Sequence, residues 1–354
     1  MHGLLPSGNP DAPKRFLQHS TRTELFFEYV AYAEASGEQA ASYSTFLRVA
    51  NAVMKPGMRG GQLAYRKAGD HAQCDICWQL KQEIRQAKDR KERESRHKAY
   101  VKHVLSQWLD RQCYWQHRST SHASFQEMMG TKMMNASIHA SAITLIQDGM
   151  DQAKFRVPRL NPQLRASKLS QRLYRPVLHI LCSWAHGSQM TFFVSHEDQP
   201  KDSVTTMEAM SRMLSDLANQ HGTLPLTLHI QHDGTPREAK NQFFTAYLLL
   251  LAALQVFRQT TISFLRPGHS HEDIDQIFSQ VAAMMSHSSF STPDELLELL
   301  NGTCQSDNPG HAARLKKQKL QKIRASACML DQAADWKSWI AVAGMKLKGL
   351  RLLA

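Results

Sequence analysis

The pattern of apolar and polar residues changes at about residue 136 of the chain. Upstream of this point, apolar residues recur at helical spacing, which predicts two helices between Thr21 and Asn51. Downstream, apolar runs of strand length alternate with helix-length patterns, beginning with the β-branched run Ser141–Asp148. The second part of the chain is therefore expected to form a sheet with helices packed on it.

The predicted elements of this second part follow a regular order. Val177–Trp184 and Gln189–Ser195 are two strands, and Ala185–Ser188 between them is typical of a hairpin turn. The further elements are helix Val204–Gln220, strand Leu226–Asp233, helix Arg237–Phe257, strand Thr261–Leu265, helix His271–Ser286 and a helix beginning at Thr292. The order β-β-β-α-β-α-β-α predicts an α/β fold with a mixed sheet. It is the order of the ribonuclease H-like fold, in which the first and fourth strands are neighbours.

Shifts in composition predict the domain organisation. We expect a disordered lead, a small helical region, a Cys/His-bearing charged helical region, a ribonuclease H-like core and a C-terminal helical extension, at residues 1–20, 21–70, 71–135, 136–290 and 291–354 respectively. Within the third region, the Ser/Thr/His-rich segment 118–124 is predicted to be a link.

Composition excludes several classes of protein. The 354 residues are 42% hydrophobic, which is enough for a core, and six cysteines in such a length do not make a disulfide framework. The longest apolar stretch, Ala246–Phe257, has about 12 residues, whereas a membrane span needs about 20. We therefore expect a soluble protein without a membrane partner, nuclear or otherwise intracellular. The formal charge of +12 favours a polyanionic partner.

Acidic residues stand where the predicted sheet would bring them together. Asp148 ends the first strand, Asp233 ends the fourth, and Glu272, Asp273 and Asp275 open the helix after the fifth. Spacing of i and i+3 puts Glu272 and Asp275 on one helix face, with Asp273 directed aside. Each acid alone also fits an ordinary turn or helix start. All three in this order predict a carboxylate site for two Mg²⁺ or Mn²⁺ ions, the arrangement used for phosphoryl transfer.

Three strings carry a resemblance to a known family. DGMDQAKFRVPR, HDGTPREAKNQ and FLRPGHSHEDIDQIFS, at 148–159, 232–242 and 264–279, resemble an uncharacterised transposon-associated eukaryotic family similar to DDE transposases and integrases. The resemblance covers roughly residues 45–345. It implies a homo-oligomeric polynucleotidyl transferase that cleaves or joins DNA phosphodiesters by a two-metal mechanism.

The same resemblance ranks the acids. In related elements an acid follows six residues after the His of a Gly-His-Ser/Thr motif, which here selects Asp275 over Glu272, counting from His269. The family's Asp-Asn motif is replaced by Asp233-Gly234. This departure leaves open an alternative, a catalytically inactive, element-derived DNA-binding or interaction protein. A nuclease acting on RNA is a third hypothesis.

Polar residues around the acids are candidates for binding nucleic acid. They are Lys154, Arg156, Arg159, Lys240, Asn241, His269 and His271. Each of them also fits an ordinary structural role in a solvated loop or at a helix end.

A separate set of residues predicts a structural zinc site. Cys74 and Cys77 form a CxxC pair, and His97 and His103 follow about 20 residues later. The two histidines are six residues apart, so both can bind one ion only if their helix bends. Competing ligands are His71 and Cys113. The alternative is a pair of ordinary reduced thiols.

Overall fold

In this computed structural model, the part of the chain that the structure describes comprises residues 15–16, 22–53, 63–64, 74–130, 142–150, 156–159, 174–266, 273–304 and 324–344. The chain forms two compact units. One consists of residues 1–112 with 266–269, and the other of residues 113–265 with 270–354.

The first unit is mainly helical. It contains α1 (Arg22–Ala35), α2 (Tyr43–Val53), α3 (Asp75–Gln86) and the first part of α4 (Arg90–Gly130), with a two-residue parallel pair of β1 (Arg15–Phe16) and β2 (Leu63–Ala64). The helices α1 and α2 match the two predicted helices and pack through aromatic rings. Phe46 contacts Phe26 and Tyr29, each with 5.3 Å between ring centroids.

Helix α4 continues through residues 118–124, so the predicted link there is wrong. Ser and Thr are poor helix formers because their side chains compete for backbone hydrogen bonds. Here Ser119 and Thr120 donate to carbonyls four residues earlier in the same helix. Ser121 is buried, donates to the carbonyl of His186 and accepts from the amide of Thr144. Tertiary contacts thus override the weak local preference.

The second unit is built on a mixed six-stranded sheet. Its strands are β3 (Ala142–Gly149), β4 (Leu178–Ala185), β5 (Gln189–His196), β6 (Thr227–His232), β7 (Gln259–Phe264) and β8 (Arg324–Met329), in the spatial order β7-β6-β3-β4-β5-β8. Only β4 runs opposite to the others. The first five strands of this unit follow the predicted order, and the first and fourth, β3 and β6, are parallel neighbours as expected.

The remaining helices are α5 (Ser203–His221), α6 (Gln242–Ala253), α7 (Asp273–Ser286), α8 (Pro293–Cys304) and α9 (Trp336–Gly344). Local sequence explains their ends. Asp202 caps α5 by accepting from the amide of Val204, and Gly222, with φ of 76°, ends it. None of the helices in the described ranges is both long and apolar enough to cross a membrane.

Side chains alternate between the two faces of the sheet, and each face has its own core. One core joins Ile146, Leu178, Ile180 and Trp184 to Ile274, Phe278 and Val281 of α7 and to α8. The opposite core joins Ile143, Leu145, Leu228 and Ile230 to Met207, Met210 and Met213 of α5 and to Phe244 and Tyr247 of α6. The sheet is therefore a central layer between two layers of helices.

Two elements differ clearly from the sequence prediction. Helix α6 begins at Gln242, later than the predicted Arg237, because the side chain of Asn241 caps it there. Strand β8 lies in a region predicted to be a helical extension, and it pairs in parallel with the edge strand β5. Asn301 of α8 stabilises β8 by accepting from the amide of Ala327 at 2.7 Å.

Candidate functional site

Two of the three predicted acids stand side by side at one end of the sheet. The last registered pair between β3 and β6 is Gln147 with His232, and Asp148 and Asp233 follow directly. Because neighbouring strands lie about 4.8 Å apart, the register brings these two carboxylates close to each other.

The third acid reaches the same place from a helix. Asp148 lies two residues after Ile146 on β3, so both side chains point to the same face of the sheet. The side chain of Ile146 belongs to the core beneath α7. Asp275 lies in the first turn of α7. The three acids line one cavity with a volume of about 80 Å³, together with Ile146, Leu265, Ile274 and neighbouring residues.

The three acids also act on one another electrostatically. Burial raises the pKa of Asp148 to about 7, and the negative charges of Asp275 and Asp233 add to this effect. A hydrogen bond from the amide of Gly149 and the charge of Lys201 act in the opposite direction on the same pKa. Three carboxylates in one cavity therefore repel one another when no cation is between them.

The carboxylates are oriented by backbone groups that follow them. Asp148 Oδ1 accepts from the amide of Gly149 at 2.8 Å, and Asp233 Oδ1 accepts from the amide of Gly234 at 2.7 Å. Asp233 Oδ2 accepts from the hydroxyl of Thr235 at 2.6 Å. The Asp-Gly sequence thus fixes each carboxylate immediately beyond its strand.

Asp273 has a different environment from Asp275, as the helical spacing predicted. Its carboxylate accepts from Tyr114 Oη at 2.8 Å and from Arg118 at 2.9 Å. His186 lies within hydrogen-bond distance of the same tyrosine, at 2.8 Å, and is completely buried. This network fixes the first turn of α7, and therefore the backbone that carries Asp275.

The ionisation states within this network follow from burial. Burial lowers the pKa of His186 to about 3, so its imidazole is neutral at pH 7. Burial by itself raises the pKa of Asp273, but His186, Arg118 and the hydrogen bond from Tyr114 lower it below its ordinary value. Asp273 is therefore an ionised structural anchor.

A lysine whose charge acts on Asp148 was not predicted from the sequence. Lys201 pairs with Glu238 at 3.4 Å and lowers the pKa of Asp148 through its charge. It crosses close over Gly149: a Cβ at that glycine would lie 2.7 Å from Lys201 Cε. Gly149 is the one feature of the sequence that could have indicated this close approach. An Asp-Gly pair is equally typical of an ordinary turn.

Comparison with known proteins gives a family. Residues 170–351 match the family described as "Domain of unknown function (DUF7869)", which is a little more than half of the chain. The chain belongs to the DUF7869 family. The matched span contains Asp233 and Asp275 and begins after Asp148. No curated protein matches this DUF7869 chain.

Solved structures similar to this DUF7869 chain are complexes of the Mos1 transposase. The transposase chain in the paired-end complex with the left transposon end is 9% identical in sequence to this chain, with a TM-score of 0.33. The match covers 93% of this chain and 99% of the transposase chain. The pre-cleavage transpososome is 10% identical, covers 92% and 98%, and has a TM-score of 0.31. These scores are too low to establish a shared fold.

The residues of this DUF7869 chain that were predicted to bind nucleic acid have different structural environments. Arg156 is exposed, and Lys240 lies 5.8 Å from the ring centroid of Phe264. Arg159 exchanges backbone hydrogen bonds with Phe290. Asn241 has a structural role, because its side chain accepts from two amides at the start of α6 and donates to the carbonyl of Pro236. Outside the described residues lie Lys154, His269, His271 and the alternative third acid Glu272.

The first unit contains a second cluster of chemical interest. Ligand atoms of Cys74, Cys77 and His103 all lie within 4.8 Å of one another, and no other group of three His, Cys, Asp or Glu residues in the described ranges is as close. His97 is not part of it: α4 is continuous, so His97 lies about 120° around the helix from His103 and is exposed. His71 lies outside the described residues, and Cys113 is exposed beside His117.

Proposed function

We propose that this chain is a metal-dependent polynucleotidyl transferase of the DDE type that cleaves or joins DNA phosphodiesters. The observation that carries the proposal is the meeting of Asp148, Asp233 and Asp275 around one cavity. They come from two neighbouring parallel strands and from a helix that packs over them. Distant parts of the sequence supply one acidic cluster, and this is what a two-metal site needs.

The strand order supports a ribonuclease H-like core. A hairpin-linked trio, β3, β4 and β5, is extended on the side of β3 by the parallel strands β6 and β7. In this interpretation β8 is an additional edge strand. The order is a coarse property shared with other mixed sheets, so the acids carry more of the proposal than the fold does.

The residues present fit divalent cations. All three donors are carboxylate oxygens, which Mg²⁺ and Mn²⁺ prefer. A cavity needs a volume of about 10–15 Å³ to hold one water molecule. The cavity here, at about 80 Å³, therefore has room for ions with part of their hydration shell. The carboxylate oxygens of the three acids do not all lie within 4.8 Å of one another. This spread is compatible with two ions about 4 Å apart, which the carboxylates surround.

Two divalent cations, when bound, would stabilise the attacking and leaving oxygens of a phosphodiester. The residues of the chain supply the orientation. Asp148 and Asp233 are fixed by the amides that follow them, and Asp275 is fixed through the anchor at Asp273. Lys201 adds a positive charge near Asp148 and lowers its pKa, while its side chain lies over Gly149.

The proposal includes DNA as substrate and partner, a homo-oligomeric assembly and a nuclear or other intracellular location. The formal charge of +12 supports a polyanionic substrate, since basic residues supply the salt-dependent part of DNA affinity.

Cleavage of supercoiled plasmid DNA in Mg²⁺ or Mn²⁺ tests the proposal. We expect wild-type protein to nick DNA only with metal, and Asp233→Asn to reduce the rate by about 100-fold or more. Asp216→Asn, at an exposed position on α5, is the matched control and should retain full activity. Unchanged cleavage by Asp233→Asn would overturn the mechanism. DNA binding without cleavage by the wild type would favour the inactive, element-derived alternative, and cleavage restricted to an RNA–DNA hybrid would reassign the substrate.

A further inference from the structure

A compact group of sulfur and nitrogen atoms lies where α3 and α4 meet in the first unit. Cys74 is the residue before α3 and Cys77 lies in its first turn, while His103 projects from α4. Cys74 Sγ lies 3.2 Å from His103 Nε2. The edges of a zinc tetrahedron with Zn–S and Zn–N bonds of about 2.0–2.3 Å are about 3.5 Å long, so the spacing suits a tetrahedral ion.

Both cysteines stand at the start of α3, and a metal would bind them as thiolates. Cys74 makes no capping hydrogen bond with its side chain. The two cysteines and the histidine provide only three donors, whereas structural zinc sites have four.

Gln107 supplies a fourth donor at the same point. It follows His103 by one helical turn, so both side chains project from one face of α4. Its side chain is 2% exposed, and its amide nitrogen faces both His103 Nε2 and, at 4.0 Å, Cys77 Sγ. Its amide oxygen is buried and has no hydrogen-bond partner among the described residues.

The orientation of such an amide is an assignment, because oxygen and nitrogen are nearly equivalent in shape. Turning the Gln107 amide by 180° directs its oxygen at His103 and Cys77, toward the centre of the group. In that orientation the oxygen is available as a ligand to a cation at the centre of the group.

We infer that Cys74, Cys77, His103 and the amide oxygen of Gln107 form a structural zinc site that ties α3 to α4. The site is independent of the carboxylate cavity, and its ligands are soft where those of the cavity are hard. Its consequence is a cross-linked helix pair, because the ion joins the start of α3 to the middle of α4.

Metal content of the full-length protein tests this inference first. Purified wild-type protein should hold one zinc per chain after dialysis, and cobalt in its place should give the intense thiolate-to-metal absorption of a sulfur-bound ion. X-ray absorption of the zinc form should show two sulfur and two nitrogen or oxygen neighbours. Absence of zinc, or a zinc coordination shell without sulfur, would overturn the site. Both measurements use the wild-type protein, so they do not depend on the folding of a variant.

Variants then test the individual ligands. Cys77→Ser should lose stoichiometric zinc, and Gln107→Ala should weaken zinc binding by about 10–100-fold. The matched controls are His97→Ala and Cys113→Ser, which remove an exposed histidine and an exposed thiol of the same helix and should bind zinc as the wild type does. Unchanged affinity in Gln107→Ala, together with a loss in His71→Ala, would overturn the assignment of the fourth ligand.

Discussion

At the scale of single residues, neighbouring acids have opposite roles. Asp273 and Asp275 are two positions apart on α7, yet Asp273 is held by Tyr114 and Arg118 whereas Asp275 lines the cavity. Helical spacing predicted that they face different directions. It could not predict the anchor, because Tyr114 and Arg118 are more than 150 residues away in the chain.

Replacing these two acids should separate stability from activity. We expect Asp273→Asn to lower the free energy of unfolding by about 2–4 kcal/mol, since it removes one partner of a largely buried ion pair with Arg118. Asp275→Asn should change it by less than about 1 kcal/mol and abolish metal-dependent cleavage. Urea unfolding and the nicking assay measure both quantities. Equal destabilisation by the two variants would contradict the division of roles.

Asn241 was predicted to bind nucleic acid, but the structure gives its side chain a capping role. We expect Asn241→Ala to lower the free energy of unfolding by about 1 kcal/mol, because two amides at the start of α6 lose their acceptor. Asn241→Asp keeps that acceptor and should be nearer to wild type in urea unfolding. If Asn241→Ala leaves stability unchanged and weakens DNA binding instead, the sequence-based prediction is right.

At the scale of elements, the sequence predicts most of the second unit. Strands β3 to β7 lie within two residues of the predicted bounds because their apolar runs are clear and turn residues punctuate them. Strand β8 could not be predicted, since its sequence Arg324–Met329 has few large apolar residues and gains its place from pairing with β5. The continuation of α4 through residues 118–124 likewise depends on contacts distant in sequence.

Ser121 tests why α4 continues. Its hydroxyl joins the helix to the carbonyl of His186 and the amide of Thr144. Ser121→Ala should cost about 1–3 kcal/mol of unfolding free energy, because both buried backbone groups lose a partner. Ser119→Ala is the control: Ser119 is exposed and, within the described residues, its hydroxyl bonds only to the carbonyl of Trp115, so a change within about 0.5 kcal/mol is expected. Similar effects of the two substitutions in urea unfolding would contradict the tertiary explanation.

At the scale of the whole molecule, charge is distributed unevenly between surface and interior. The chain is basic overall, yet His186 is buried, His229 is half-buried, and both are neutral at pH 7. Burial lowers the pKa of His186 to about 3, and burial with the charge of His117 lowers that of His229 to about 4. In an unfolded chain both would have the ordinary value of 6.5.

This difference predicts loss of stability in acid. A histidine with a depressed pKa in the folded state stabilises the fold above pH 6.5, and this contribution is lost as pH falls toward about 4. Each such histidine adds a slope of at most about 1.4 kcal/mol per pH unit to the free energy of unfolding, and the half-exposed His229 adds less because solvent screens it. His229→Gln should reduce the slope measured by urea unfolding, and His196→Gln, at an exposed position, should not. A slope that is the same in both variants and the wild type would contradict the assignment.

The central claim is that three carboxylates of one cavity hold two divalent ions. Crystals of the protein grown or soaked with Mn²⁺ give the most direct measurement, because anomalous diffraction locates manganese without reference to any model of the mechanism. The account predicts two anomalous peaks about 4 Å apart, each within bonding distance of carboxylate oxygens from Asp148, Asp233 and Asp275. Manganese bound only elsewhere, with the three carboxylates free of metal, would contradict it.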